Sequence, residues 1–295
     1  MAKIKMNSAW AKLMLLSSTI FWGSTFFIIK DTLDEIPVYF LLTLRFLASA
    51  VIMSIIFYKK WRLINKDYIL SGVVTGVFLA LAYICQTVGL KHTTPGTNAF
   101  LTTVYCVIVP FMAWTVTKKA PDKRNVICAF IAIFGIGLVC LDKALGFSLM
   151  GEGMTILCGV FFAAQIVAVD FWGERLDIIL YTIIQLFATF IICLVFSLLF
   201  EAPPESISAK AVFSIGYLSV FATVVSFIFM NVGIKHTNAC ESSLILCLES
   251  VFGVAFSMMF YHERPSLQAI IGFAVIFSAL LINEVRLPKN SLKRR

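Results

Sequence analysis

The sequence predicts an all-α integral membrane protein with ten transmembrane helices, built as two inverted five-helix repeats. Three observations support this: an apolar composition, ten charge-poor segments of spanning length, and an internal repeat. Of the 295 residues, 60% are hydrophobic and 14% charged, whereas a soluble domain holds roughly 45–50% apolar residues. A bilayer core about 30 Å thick takes about 20 residues per helix, so ten segments leave no length for a soluble domain. The composition excludes a soluble enzyme, and the lack of a clustered basic face excludes a nucleic-acid-binding module.

The predicted helices follow one another as apolar runs bounded by proline, glycine and charged residues. They cover residues 11–29, 37–58, 67–90, 94–117, 124–141, 152–171, 178–200, 210–234, 238–260 and 265–283. Each run is continuous, without the alternation of a β-barrel strand, so helices are the predicted way to satisfy the backbone in lipid. The first run contains Trp22 and ends at Lys30 and Asp31 with no small-residue cleavage site, which indicates a span and not a secretory signal.

Lysine and arginine are distributed unequally between the two sides of the predicted bundle. The termini and the even-numbered loops hold 18 of the 24, the odd-numbered loops hold five, and Arg45 falls inside a span. The positive-inside rule therefore predicts that both termini are cytoplasmic.

An internal repeat divides the chain. V-G-L-K-H-T (Val88 to Thr93) recurs 144 residues later as V-G-I-K-H-T (Val232 to Thr237), with five of six positions identical. Nearer the N-terminus an offset of 140 fits better. The predicted units are residues 1–143 and 144–295, and because each holds five helices, the second enters the membrane with the opposite orientation. Inverted repeats are typical of secondary transporters, with a substrate site near the midplane; a duplicated bundle that transports nothing is the alternative.

Two longer stretches carry a family resemblance. Gly89 to Pro110 reads G-L-K-H-T-T-P-G-T-N-A-F-L-T-T-V-Y-C-V-I-V-P, and Ser242 to Ala255 reads S-S-L-I-L-C-L-E-S-V-F-G-V-A. Both resemble the EamA-type, ten-helix members of the drug/metabolite transporter superfamily. The resemblance implies export or exchange of small metabolites, amino acids or organic cations, through a cavity lined by helices 1, 3, 4, 6, 8 and 9, in a bacterial plasma membrane. The family often has Glu-Pro where this chain has Glu249-Ser250, which predicts a less kinked ninth helix.

Glu249 is the main candidate for function. It lies eleven residues into the ninth predicted helix, about 16 Å from its start and therefore at the midplane. Its repeat mate, Tyr105, lies at the same depth in the fourth helix. Because ionisable groups inside membranes are costly, they are functional candidates. Glu249 is predicted to take up a proton when substrate leaves or to pair with a substrate ammonium; a buried structural carboxylate is the alternative.

Helical spacing and repeat alignment group further side chains with these two. Asn98 and Thr102 share a stripe with Tyr105, and Ser242 shares one with Glu249. Aromatic rings bind organic cations or stack on aromatic substrates, although rings in spans more often pack or face lipid. The predicted substrate site comprises Trp22, Thr25, Tyr83, Gln86, Asn98, Thr102, Tyr105, Phe162, Gln165, Phe227, Asn231, Ser242 and Glu249.

Arg45 is the strong base that lies deep in a predicted span. One interpretation is a salt bridge with Glu249 or a contact to a substrate carboxylate. The other is that its side chain extends outward to Asp31, Asp34 or Glu35 while its stem stays in the apolar layer. The second is favoured, because the second helix is not among the cavity helices that the resemblance implies.

The sequence predicts no cofactor and no metal. It contains neither G-x-x-x-x-G-K nor H-E-x-x-H, and its eight cysteines have no C-x-x-C spacing. The predicted partners are a cationic or zwitterionic small molecule and the lipid bilayer, for a monomer or homodimer. Gly72-x-x-x-Gly76 suits either close helix packing or a dimer contact. The competing functions are an intramembrane enzyme acting on lipid and a non-transporting scaffold subunit.

Overall fold

The computed structural model describes residues 8–118, 120–140, 148–173, 175–237 and 239–284, which are all-helical and contain no strand. The predicted boundary between the two units, after residue 143, lies outside the described residues. A 3₁₀ helix, Tyr58–Leu63, precedes the helix Lys66–His92, and π-helical turns at Leu149–Gly153 and Val220–Val225 lead into the helices Met154–Gly173 and Ser226–His236. The helices are α1 (Ser8–Thr32), α2 (Val38–Ile56), α3 (Lys66–His92), α4 (Pro95–Thr102), α5 (Tyr105–Thr117), α6 (Lys123–Cys140), α7 (Met154–Gly173), α8 (Ile178–Phe200), α9 (Ala209–Ser219), α10 (Ser226–His236), α11 (Ala239–Leu246), α12 (Leu248–Phe260) and α13 (Leu267–Glu284).

Seven helical stretches in the described residues are long and apolar enough to cross a membrane. They are Ala9–Thr32, Val38–Ile56, Lys66–His92, Pro95–Thr117, Leu149–Gly173, Ile178–Phe200 and Ala209–His236. Three shorter apolar helices are Val126–Val139, Leu248–Phe260 and Leu267–Ala279. Large apolar side chains such as Leu70, Phe130 and Phe213 are exposed on the outer surface, as expected of a surface that faces lipid. The number of ten crossings remains a prediction.

The fourth and ninth predicted helices are each interrupted, and the two interruptions are 144 residues apart. Thr103 and Val104 separate α4 from α5, and their amides donate to carbonyls three residues earlier, each at 3.2 Å. Cys247 separates α11 from α12. The expected weaker kink at Glu249-Ser250 is therefore replaced by a break two residues earlier. Both breaks place the functional candidates, Tyr105 and Glu249, in the first turn of a new helix.

A close contact with α7 accounts for the first break. A Cβ atom at Gly159 would lie 2.2 Å from Val104 Cγ1 and 3.2 Å from the Thr102 carbonyl oxygen. The glycine thus lets α7 approach the backbone where α4 ends. At the second break, the carbonyl of Ser243 accepts from Cys247 N at 3.0 Å and from Cys106 Sγ at 2.7 Å, so a second donor occupies the carbonyl where the helix is interrupted.

Helices from the two halves of the chain pack closely against each other. A Cβ at Gly72 would lie 2.7 Å from Ile184 Cγ2, and one at Gly76 would lie 2.6 Å from Ala188 Cβ. Of the two predicted uses of this glycine pair, the structure shows close packing of α3 on α8. The two glycines have no side chain, so the backbones of α3 and α8 can approach closely.

Candidate substrate cavity

A narrow cavity lies between the two halves of the chain, with an empty volume of about 430 Å³ including its opening. Side chains from α1, α3, α5, α7, α10, α11 and α12 form its wall. Nine of the thirteen predicted site residues line it: Trp22, Thr25, Tyr83, Gln86, Tyr105, Phe162, Gln165, Phe227 and Glu249. The structure thus brings together residues up to 227 positions apart in the sequence.

The lining follows the internal repeat. Twelve of the thirteen lining residues form pairs related by an offset of 140 or 144: Trp22 with Phe162, Thr25 with Gln165, Phe26 with Ile166, Tyr83 with Phe227, Gln86 with Met230, and Tyr105 with Glu249. The remaining one, Leu246, is the repeat mate of Thr102, which lies behind the wall. This pairing is expected where a cavity lies on an approximate two-fold axis between repeats.

Glu249 is the acid among the lining residues. Its side chain is 5% exposed, and its Oε1 accepts a hydrogen bond from Tyr105 Oη at 3.4 Å. A bond of that length is weak, so the carboxyl group retains capacity for a ligand. A carboxyl in such a site can bind an ammonium group when ionised or carry a proton when neutral.

Aromatic rings make up much of the wall. Tyr83 packs edge-on against Phe162 with ring centroids 5.3 Å apart, and Tyr105 packs against the same ring at 6.2 Å. On the other side, Trp22 and Phe227 are 5.5 Å apart. The indole Nε1 of Trp22 donates to the Ala222 carbonyl at 2.8 Å, which leaves the apolar ring as the part of Trp22 available to a ligand. These rings suit an organic cation or an aromatic substrate.

Three polar side chains complete the wall. Thr25 Oγ1 donates to its own helix at the Trp22 carbonyl, and Gln86 Nε2 donates to Thr102 Oγ1 at 3.2 Å. By contrast, Gln165 Nε2 is buried and has no hydrogen-bond partner. An unpaired buried donor is costly, which makes Gln165 a candidate contact for a ligand.

Within the described residues, no group of three or more His, Cys, Asp or Glu side chains is placed to hold a metal.

Four predicted site residues lie outside the lining, and each is hydrogen-bonded to another residue. Asn98 Nδ2 donates to the Gln86 carbonyl at 3.2 Å and to Thr155 Oγ1 at 2.7 Å. Thr102 supports Gln86 from behind. Two more bond to neighbours away from the cavity: Asn231 Nδ2 donates to Thr182 Oγ1 at 2.7 Å, and Ser242 Oγ bonds to Thr237 Oγ1 at 2.6 Å. In this structure these four do not line the cavity, because helical spacing does not specify which neighbour faces a polar stripe.

Four lining residues were not predicted from the sequence: Phe26, Ile166, Met230 and Leu246. All are apolar, so their side chains resemble those of any packed or lipid-facing position. The repeat offset offered a signal, since Phe26 and Ile166 are mates one position beyond Thr25 and Gln165. Met230 is likewise the mate of the predicted Gln86.

The favoured interpretation of Arg45 is wrong. Its side chain is fully buried and does not extend to the loop. The guanidinium donates from Nε to Thr223 Oγ1 at 2.8 Å and from Nη2 to the Ala222 carbonyl at 3.4 Å. Its Cζ lies 4.7 Å from the ring centroid of Tyr83. The π-helical turn at Val220–Val225 explains this position, because such a turn frees backbone carbonyls that a neighbouring helix can bind.

Charged side chains hold the corner between α3 and α4, at one end of the bundle. Lys30 Nζ donates to the carbonyls of Leu90, Lys91 and Thr93 at 2.8–3.0 Å, which satisfies the end of α3. Thr93 Oγ1 donates to Glu152 at 2.5 Å. The corner is therefore bonded to a carboxylate from the second half of the chain.

Glu263 makes a second bridge to the same corner. Its carboxylate accepts from Thr94 Oγ1 at 2.6 Å, from Gly96 N at 2.8 Å and from Ser257 Oγ. At the equivalent corner between α10 and α11, Thr237 Oγ1 instead donates to Gly233 of the same half at 2.8 Å. The described residues thus show carboxylate bridges between the halves at the α3–α4 corner.

Together these features define a multi-pass helical membrane protein whose two similar halves enclose a cavity with a buried acid. The chain belongs to the EamA-like transporter family, whose model matches residues 9–141 and again residues 149–284.

Relatives match 88–94% of this chain, and two of them carry the name of a transporter. An "Uncharacterized transporter" of Archaeoglobus fulgidus is 30% identical over 94% of this chain and 86% of its own length. "Uncharacterized transporter YoaV" of Bacillus subtilis is 22% identical over 91% of this chain and 94% of its own. "Protein PecM" of Dickeya dadantii is 22% identical over 88% of each. A solved crystal structure shares the fold, with a TM-score of 0.70 at 15% identity over 92% of this chain and 96% of that one.

Proposed function

We propose that this protein is a secondary transporter that moves small metabolites of one of two classes, either amino acids or organic cations. It would do so by export or exchange through the central cavity. The observation that carries the proposal is the cavity itself, where the single lining acid, Glu249, faces aromatic rings from both halves of the chain. Burying an ionisable group inside a membrane protein costs stability, so a buried acid there is a candidate for a functional residue.

The proposed architecture has ten membrane crossings in two inverted repeats, residues 1–143 and 144–295, with both termini in the cytoplasm. Two matches to one family model, at 9–141 and 149–284, support the repeat. The helical irregularities at Thr103–Val104 and at Cys247 support the repeat too, because they fall at equivalent positions of the two halves. The excess of lysine and arginine on one side supports the orientation. The protein would act in the plasma membrane as a monomer or homodimer.

In the proposed mechanism the two halves rock about the cavity, which opens alternately to each side of the membrane. By the charge count, the α3–α4 corner lies at the external end. Its bridges to Glu152 and Glu263 would hold that end closed in the conformation described here, and they must open for substrate to leave. Glu249 would bind the substrate ammonium and take up a proton when substrate departs, which couples transport to a proton gradient.

The test is transport by the purified protein in proteoliposomes. A labelled panel of amino acids and organic cations would be offered with and without an imposed pH gradient, after thermal-stability shifts have selected the compounds that bind. Glu249→Gln removes the charge and the exchangeable proton while keeping the shape of the side chain. We expect it to lower uptake at least tenfold or to abolish its dependence on the pH gradient.

The matched control is Glu205→Gln, which changes an exposed carboxylate in the segment between α8 and α9 and should leave uptake unchanged. Both variants must elute as monodisperse protein. Unchanged transport and pH dependence in Glu249→Gln would refute the proton role. If no compound in the panel shifts the melting temperature or enters the vesicles, the proposal of transport fails.

A further inference from the structure

Arg45 is a buried positive charge without a carboxylate beside it. Its side chain is 0% exposed, and Nη1 has no hydrogen-bond partner. The described residues contain ion pairs of Lys60 with Asp177 and of Lys210 with Asp31, but none of Arg45. A guanidinium keeps its charge in proteins, and a buried charge is stable only when it is balanced. The balancing negative charge must therefore come from farther away or from a ligand.

Tyr83 connects Arg45 to the cavity. The guanidinium packs on the Tyr83 ring, and Nη2 donates to Tyr83 Oη at 3.5 Å. Because the phenol oxygen accepts this bond, its own proton remains available, and the described residues offer no acceptor for it. Tyr83 lines the cavity, as does Gln165, whose buried Nε2 has no partner. Two lining residues thus hold a donor without an acceptor, and Tyr83 packs against the Arg45 guanidinium; donors of this kind suit an anionic acceptor.

Glu249 supplies the negative pole of the cavity. Glu249 lies beside Tyr105, and both Tyr105 and Tyr83 pack against Phe162, at 6.2 and 5.3 Å. The Phe162 ring therefore contacts both the tyrosine that bonds Glu249 and the tyrosine that packs against Arg45. A molecule that fits both poles carries an amine at one end and an anionic group at the other.

We propose that Arg45 is the specificity-determining residue of the cavity and that, acting through Tyr83, it selects zwitterions with a carboxylate beside the amine over simple amines. This inference rests on the proposed transport function. It narrows the substrate from amino acids or organic cations to amino acids and similar zwitterions. With Glu249 ionised, the buried charges of Glu249 and Arg45 sum to zero. A zwitterion preserves that balance, whereas a simple amine leaves one positive charge uncompensated in a medium of low dielectric constant.

The experiment compares an amino acid with the amine that differs only by loss of its carboxylate. Labelled phenylalanine and 2-phenylethylamine form one pair, and leucine and isoamylamine form the other; both suit the aromatic wall. Initial uptake into proteoliposomes gives a preference ratio for the native protein and for Arg45→Gln, Arg45→Lys and Tyr83→Phe. Arg45→Gln introduces the residue that the second repeat has at the matching position, Gln185. Arg175→Gln is the control, since it removes an exposed arginine that lies over the Phe171 ring at 5.4 Å.

We expect the native protein to prefer the amino acid at least tenfold, Arg45→Gln and Tyr83→Phe to bring the ratio near one, and Arg45→Lys and Arg175→Gln to keep most of it. A ratio compares two substrates of the same folded protein, so a loss of folded transporter alone does not change it. If Arg45→Gln misfolds, Tyr83→Phe carries the test, because it removes only a hydroxyl. Uptake that depends on Glu249 but shows no preference for the amino acid overturns this inference alone. Uptake of neither member of either pair counts against the proposed function.

Discussion

The α3–α4 corner allows a quantitative test of how the two halves of the chain are joined. Glu263→Ala removes the acceptor of three hydrogen bonds, from Thr94 Oγ1 at 2.6 Å, from Gly96 N at 2.8 Å and from Ser257 Oγ. A buried hydrogen bond to a charged group contributes about 1.5–3 kcal/mol. Because Glu263 is half-buried, we reduce this to about 1 kcal/mol for each bond, so the local cost is about 2–3 kcal/mol.

Amide hydrogen exchange measures this cost at the start of α4. Opening of the first turn exposes the Gly96 and Thr97 amides, and a free energy change of 2–3 kcal/mol corresponds to roughly 30- to 150-fold faster exchange. We expect that acceleration in peptides covering residues 94–98 of Glu263→Ala, measured by mass spectrometry in detergent micelles. Glu263→Gln should show a smaller effect, because its amide oxygen still accepts one or two of the bonds.

The control is Glu205→Ala, an exposed carboxylate whose removal should not change exchange at residues 94–98. Native-like exchange in Glu263→Ala would refute the reasoning, since the three bonds would then contribute nothing to the corner. Faster exchange spread evenly over all the helices would also refute it, because the effect would be global destabilisation.

Two further predictions concern packing and pH. Gly253→Ala would place a methyl carbon 2.5 Å from Ala99 Cβ, so α12 must shift by about 1 Å, and overpacking of this kind costs about 1–3 kcal/mol. We expect Gly253→Ala to lower the melting temperature measured by thermal unfolding. Gly216→Ala, where a Cβ atom would meet no neighbouring side chain or helix within 4 Å, should leave the melting temperature unchanged or raise it. Equal melting temperatures for the two variants would contradict the packing argument. Glu35 lies in the segment between α1 and α2, and hydrogen bonds from Ser208 hold the pKa of its carboxyl below the ordinary value of 4.5. A group with a lower pKa in the folded state stabilises the fold above its unfolded pKa, and this stabilisation is lost as pH falls through the folded pKa. Protection of the Ser208 amide should therefore begin to fade as pH falls below about 4.5, and a loss of protection well above pH 4.5 would contradict the assignment.

Much of the helical layout follows from the sequence, because an apolar run of spanning length has one stable form in lipid. The pairing of Tyr105 with Glu249 also follows, since an offset of 144 residues places the two at equivalent points of a repeat. The structure brings both residues to one cavity, where Tyr105 Oη lies 3.4 Å from Glu249 Oε1. Apolar lining residues such as Phe26 escape this reasoning, because their side chains carry no signal apart from the repeat itself.

The contacts of polar side chains depend on how the helices pack. Asn98 and Asn231 lie on the predicted helices, but each donates its amide to a threonine of a neighbouring helix, and the identity of that neighbour depends on how the helices pack. The break at Thr103 has the same origin, because Gly159 allows α7 to approach a backbone that is 56 residues earlier in the chain.

The position of the Arg45 side chain is the clearest case of a feature that the sequence alone does not determine. Composition, hydropathy and the repeat determine that the chain is a helical membrane protein of two related halves with an acid near the middle of one helix, because those properties depend on local residue types and their spacing. The position of the Arg45 guanidinium depends on the Ala222 carbonyl and the Tyr83 ring, which come from two other helices. Only the tertiary structure decides such contacts, because a long charged side chain can reach either the membrane surface or the interior, and the free energy of each choice depends on the partners that packing supplies.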